Sequence, residues 1–171
     1  MIYKQTIEKF QKELSSKSPT PGGGVIAALT GSFAASLIEM VCNLTIGKKG
    51  YENVQKSVIK IHKDAVELKV RPSKLAQEDK LAYEKVVVAY KLDKGNPKRK
   101  ELIKKSLKYA IEVPMEVRKL CQEIEVLAYK IAKIGNKNAR SDAKTALYLS
   151  HAASKSALEN VKINKKSLAS L

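Results

Sequence analysis

The chain has 171 residues, with 33 lysines and arginines against 17 aspartates and glutamates, a net charge of +16, and two cysteines. That length holds one domain with a substantial core and excludes two comfortable ones, so residues 1–171 are expected to form a single domain. The cysteine count excludes a disulfide framework, no His, Cys or Asp cluster has metal-ligand spacing, and the charge favours acidic partners without choosing among them.

Residues 6–14 place Ile7, Phe10 and Leu14 on one side of a short helix. This start is amphipathic and charged, unlike a secretory leader, and the chain is expected in the cytoplasm. Next comes S-P-T-P-G-G-G, residues 18–24, two prolines that stiffen the backbone and three glycines that free it. Residues 24–46 then read as one helix, the most apolar in the chain, closing at Gly47 with Lys48 and Lys49. Ala27, Gly31 and Ala35 make one of its faces nearly flat, so another helix can approach closely. A second face carries Ser32, Ser36, Glu39 and Asn43. Buried polar groups need partners, and this row either hydrogen-bonds to neighbouring helices or a second subunit, or lines a site. Glu39 and the hydroxyls argue against a membrane span.

Residues 51–70 repeat Val54, Val58, Ile61, Ala65 and Leu68 at helical spacing. Pro72 either kinks this helix or opens another. Over residues 73–92 the inward stripe is Leu75, Asp79, Ala82, Val86 and Ala89, so Asp79 is an acid where the pattern asks for an apolar residue, with Tyr83 one turn further on. A core aspartate satisfied by a lysine or a backbone donor and a functional acid both fit that position. Residues 98–134 form a further helical pattern interrupted by Pro114, where a kink is expected, and Gly135 with Asn136 ends it. Ser141 reads as an N-cap and Asp142 as a first-turn acid of a last helix whose stripe continues through Ala146, Leu149, Ala153 and Ala157. Asn160 shares that face, but eighteen residues of helix put it about 27 Å from Asp142, so the two meet at one site only across a dimer. His151 reads as a packed or interface histidine. With no sustained alternation anywhere, the expected fold is all-α, a bundle of long antiparallel helices kinked near Pro72 and Pro114.

The S-P-T-P-G-G-G turn with its alanine-rich helix, N-L-T-I-G-K-K-G-Y, D-K-L-A-Y-E-K-V-V-V-A-Y-K-L, G-N-K-N-A-R-S-D-A and N-V-K-I-N together resemble the cyclodeaminase/cyclohydrolase family of folate enzymes, in that family's order and over most of the chain. The resemblance implies an all-helical homodimer acting on one-carbon tetrahydrofolates. Formimidoyltetrahydrofolate cyclodeaminase, which releases ammonia, is placed first, and 5,10-methenyltetrahydrofolate cyclohydrolase is the alternative. Folate, with or without a polyglutamate tail, is then the substrate, and no bound cofactor is implied.

Either chemistry needs a proton acceptor within hydrogen-bond reach of the one-carbon unit. Asp79 and Asp142 are the expected catalytic carboxylates, converging on a cleft rimmed by the glycine turn. Pro21, Gly22, Gly23 and Gly24 are expected to bring backbone amides to the substrate. Asn43 and Thr45 are expected to bond its amide groups, Lys48 and Lys49 its glutamate tail, and Tyr83 and Ser141 complete the binding set. Val25 stands where the family usually has a serine, which leaves room for a scaffold that has lost activity. A basic nucleic-acid-binding module is the distant alternative, resting on net charge alone, with no helix-turn-helix signature and no basic stripe interleaved with aromatics.

Overall fold

The computed structural model describes residues 2–171. Five α-helices account for most of it: α1 Ile7–Leu14, α2 Gly23–Asn43, α3 Gln55–Lys91, α4 Arg99–Ile134 and α5 Arg140–Ala169. There are no strands among the described residues, and the all-α expectation holds. Thr6 caps α1 as its hydroxyl accepts from the Lys9 amide. Phe10 packs on the core, while Ile7 is 76% exposed, so the expected inward stripe of α1 is incomplete.

Helices α2 to α5 run up, down, up and down. Gly24 lies against Asp79 and Ser32 against Lys69 and Ser73, so α2 and α3 are antiparallel. Gly31 lies on Cys121, Arg71 reaches Glu116, and Asn164 reaches Ala110, which fixes the remaining directions. α2 packs on all three other long helices. Its apolar run would be long enough for a membrane, yet 56% of that window is buried by the bundle. Ala27, Ala34, Ala35, Ile38 and Val41 are at most 1% exposed. Burying each larger apolar side chain stabilises the fold by about 1.5–3 kcal/mol. The flat face works as expected: a Cβ on Gly31 would come within 2.7 Å of the Cys121 sulfur. Burial pushes both cysteine thiols up to about 12, which suits inert packing residues.

The polar row on α2 is taken up by α3. The Ser32 hydroxyl lies 2.9 Å from the Lys69 carbonyl and 2.8 Å from the Ser73 hydroxyl, Ser36 donates to the Ser32 carbonyl, and Glu39 pairs with Lys69. Asn43 is exposed.

Both internal prolines are carried inside unbroken helices, so Pro72 does not open a new element. Each proline removes an amide hydrogen from the helix ladder. At Pro114 the carbonyl left without its donor is that of Ala110, and Asn164 of α5 supplies a replacement through Nδ2 at 2.6 Å. Beside Pro72, Arg71 clamps α3 to α4, donating from Nε and Nη2 to Glu116 and from Nη1 to Glu78.

Candidate functional site

The N-terminus of α2 forms one wall of a cavity of about 390 Å³. Its N-cap, Gly22, offers no side chain, and the helix begins on glycine backbone alone. Facing it on α3 are Asp79, Tyr83, Val86 and Tyr90, spaced 4, 3 and 4 residues apart on one helix face. Facing both on α5 are Asn160, Asn164 and Ser167, again a single face. Leu107 and Ala110 of α4 close the apolar side.

Gly24 is what admits Asp79. A Cβ at position 24 would come within 2.6 Å of the Asp79 carboxyl carbon, so any side chain there would expel the acid. The carboxylate therefore lies over the first turn of α2, where the helix dipole is positive and the first amides lack helical partners. It accepts no hydrogen bond from another described residue, and burial pushes its pKa up to about 6. At neutral pH such a group is mostly ionised, yet close enough to its pKa to give a proton back. Asn160 borders the same turn, its Nδ2 lying 3.8 Å from where a Gly23 Cβ would stand.

The structure thus brings Gly22, Gly23, Gly24, Asp79 and Tyr83 around one cavity, with Pro21 buried just before it. It does not bring Asp142 there. Asp142 sits half-buried in the first turn of α5, eighteen residues and about 27 Å of helix from Asn160. The expected convergence of the two acids within one chain is therefore corrected: they lie at opposite ends of α2. Asn43, Lys48, Lys49 and Ser141 are exposed at the Asp142 end. Ser141 lies inside α5, which starts at Arg140, so it is not the N-cap.

Thr45 needs a further correction. It is fully buried, donates to the Val41 carbonyl at 2.6 Å and accepts from the Asn136 amide at 2.9 Å. Asn136 in turn donates through Nδ2 to the Leu44 carbonyl. The hydroxyl expected to touch substrate instead ties the end of α2 to the α4–α5 turn. His151 is not packed either: it is exposed and pairs with Glu125 at 3.0 Å.

Asn160, Asn164, Ser167 and Tyr90 were not among the expected site residues. The first two open and close the N-V-K-I-N run, and their spacing of four was the available signal.

The family described as formiminotransferase-cyclodeaminase matches residues 6–170. A methenyltetrahydrofolate cyclohydrolase of Methylorubrum extorquens is 38% identical over 98% of this chain and 83% of its own length. A solved structure, formiminotetrahydrofolate cyclodeaminase from Thermotoga maritima, is 34% identical with a TM-score of 0.89, covering 98% of this chain and 82% of that one. The formimidoyltransferase-cyclodeaminase of Sus scrofa is 27% identical over 94% of this chain, which spans only 30% of that longer protein. The chain belongs to the formiminotransferase-cyclodeaminase family.

Proposed function

We propose that the protein is a cytoplasmic 5,10-methenyltetrahydrofolate cyclohydrolase, with Asp79 as its proton acceptor. The observation that carries this reading is the Asp79 carboxylate, seated over Gly24 in a cavity with no second acid, its pKa pushed up to about 6. Hydration of a methenyl bridge needs one such group. As water adds to the cationic bridge carbon, the carboxylate stabilises the cation and takes the water's proton. It then returns the proton to N5 as the carbon–N5 bond breaks, while the hydroxyl left on the bridge carbon loses its remaining proton to solvent and becomes the carbonyl of the 10-formyl product. The 38% identity to a cyclohydrolase over nearly the whole chain supports the same assignment.

The second reading is formimidoyltetrahydrofolate cyclodeaminase, favoured by the likeness to the Thermotoga maritima protein. There N10 attacks the formimino carbon, Asp79 takes the N10 proton, and a proton leaves with ammonia. A second acid would serve that step, and a homodimer supplies one. The outer face of α2 carries Ile26, Phe33, Leu37, Met40 and Leu44 at heptad-like spacing, with Phe33 60% and Leu44 48% exposed. Phe33 stands at the middle of the helix. An antiparallel pairing of two α2 helices about a two-fold axis through Phe33 sets one chain's glycine turn beside the other chain's Asn43, Lys48, Lys49 and Asp142. The pairing unites the expected residues that a single chain holds apart, and gives those lysines access to the glutamate tail.

Purified protein is to be assayed for loss of methenyl absorbance and, separately, for ammonia release from the formimidoyl substrate. Hydrolysis that disappears in Asp79→Asn supports the first reading. Ammonia release without hydrolysis replaces it with the second.

A further inference from the structure

The cavity's α5 wall has a chemical polarity that Asp79 does not explain. Asn160 donates from Nδ2 to the Ser156 carbonyl at 3.0 Å, Asn164 from Nδ2 to the Ala110 carbonyl at 2.6 Å, and Ser167 from its hydroxyl to the Ile163 carbonyl at 3.1 Å. Each of the three commits a donor to a backbone carbonyl. An amide whose nitrogen is held on one side presents its oxygen on the other. Neither Oδ1 bonds another described residue, and both side chains line the cavity. With Asp79 opposite, the space between α3 and α5 is bordered by acceptors from two sides.

One of these three contacts exists because of a proline. Ala110 is four residues before Pro114, so its carbonyl lacks the amide donor that position 114 would otherwise supply. It is this carbonyl that Asn164 grips. We propose that Pro114 is a positioning residue for Asn164, and that the Asn164 oxygen, with that of Asn160, accepts from the N–H edge of the bound substrate's ring. A reduced pterin offers such an edge in its exocyclic amine and ring N–H groups, so the inference rests on the folate reading above and adds which face of the ring lies against α5.

The test is a double-mutant cycle with Pro114→Ala and Asn164→Leu. Alanine at 114 restores the amide to the helix ladder and lets the Ala110 carbonyl return to it, so helicity and melting temperature should not fall. KM should nevertheless rise roughly threefold to tenfold, the loss of one hydrogen bond, with kcat changed less than about twofold. Asn164→Leu should raise KM similarly, and the double variant should match Asn164→Leu instead of multiplying the two effects. An unchanged KM in Asn164→Leu overturns the acceptor role. Multiplying effects, or an unchanged KM in Pro114→Ala, overturn the positioning role. The contact is also read without substrate, since the Asn164 side-chain amide signals in a ¹⁵N–¹H spectrum should shift in Pro114→Ala, and a fixed position there counts against the coupling. If the parent chain turns over neither folate, the functional reading fails first, and that outcome is distinct because the parent itself is silent.

Discussion

The two ends of α2 hold similar residue types and use them in opposite ways. At the lysine end, Thr45, Asn136, Gln55 and Tyr51 bond one another and the backbone: Thr45 to Val41 and Asn136, Gln55 to Thr45, Tyr51 and Gly47, and Tyr51 to Lys137. At the glycine end, Asp79 accepts nothing from another described residue, and two asparagines leave their oxygens open beside a cavity. All three side chains are half-buried, so their oxygens stay available to a partner from outside the chain. That difference supports the proposed placement of the chemistry at the glycine end, while the lysine end, within one chain, is a joint.

Asp79→Asn breaks this contrast most severely. It should lower kcat by about 10²–10⁴-fold with the helical content intact, as measured by steady-state assay and circular dichroism. The pH profile sharpens the same point. Activity of the parent should climb as pH rises through about 6, where Asp79 ionises, and any residual activity of Asp79→Asn should lose that inflection. Stability has the opposite sign. A carboxyl raised above its ordinary value of about 3.9 favours the folded state fully at lower pH and loses that contribution as pH rises through about 6, so above that pH Asp79→Asn should melt higher than the parent.

Mixing inactive Asp79→Asn and Asp142→Asn chains comes next. If the two ends meet across a dimer, random reassociation gives half hybrid dimers with one intact site each, and about a quarter of the parent rate should return. An Asp142→Asn chain that is fully active by itself instead leaves the lysine end a joint in the assembly as well. Gly24→Ala should follow, destabilising by about 1–3 kcal/mol through overpacking and displacing the acid, read as a lower denaturant midpoint and a raised KM. Thr45→Val should have the smallest catalytic effect. It strands the buried Asn136 amide, costs about 1–3 kcal/mol of stability and leaves KM where it was.

Periodicity alone carried the helices and the up-and-down bundle, because each long segment buries one stripe. Asp79 was legible too, as an acid breaking an apolar pattern. What the sequence hid were facts of distance and partner. Asp79 and Asp142 each sit on an inward stripe, but only the bundle's antiparallel order reveals that they occupy opposite ends. Thr45 lies in a motif full of hydrogen-bonding groups, and its partner, Asn136, is 91 residues away. Pro72 read as a kink or a new start and Pro114 as a kink, because local propensity disfavours both, whereas tertiary packing, with Asn164 supplying a donor to one carbonyl, carries each helix through. Asn164 itself went unassigned since its role depends on that repair.

The absence of a side chain at position 24 has a consequence for how this protein can change. Positions 24 and 79 are coupled: a methyl group at 24 requires the carboxylate of residue 79 to move from its seat or to be replaced by a smaller group. A lineage that first gains alanine there displaces its acid in one step, and the seat returns only when residue 24 reverts to glycine. Any search for altered activity in this fold is therefore better begun on α3 than on the turn.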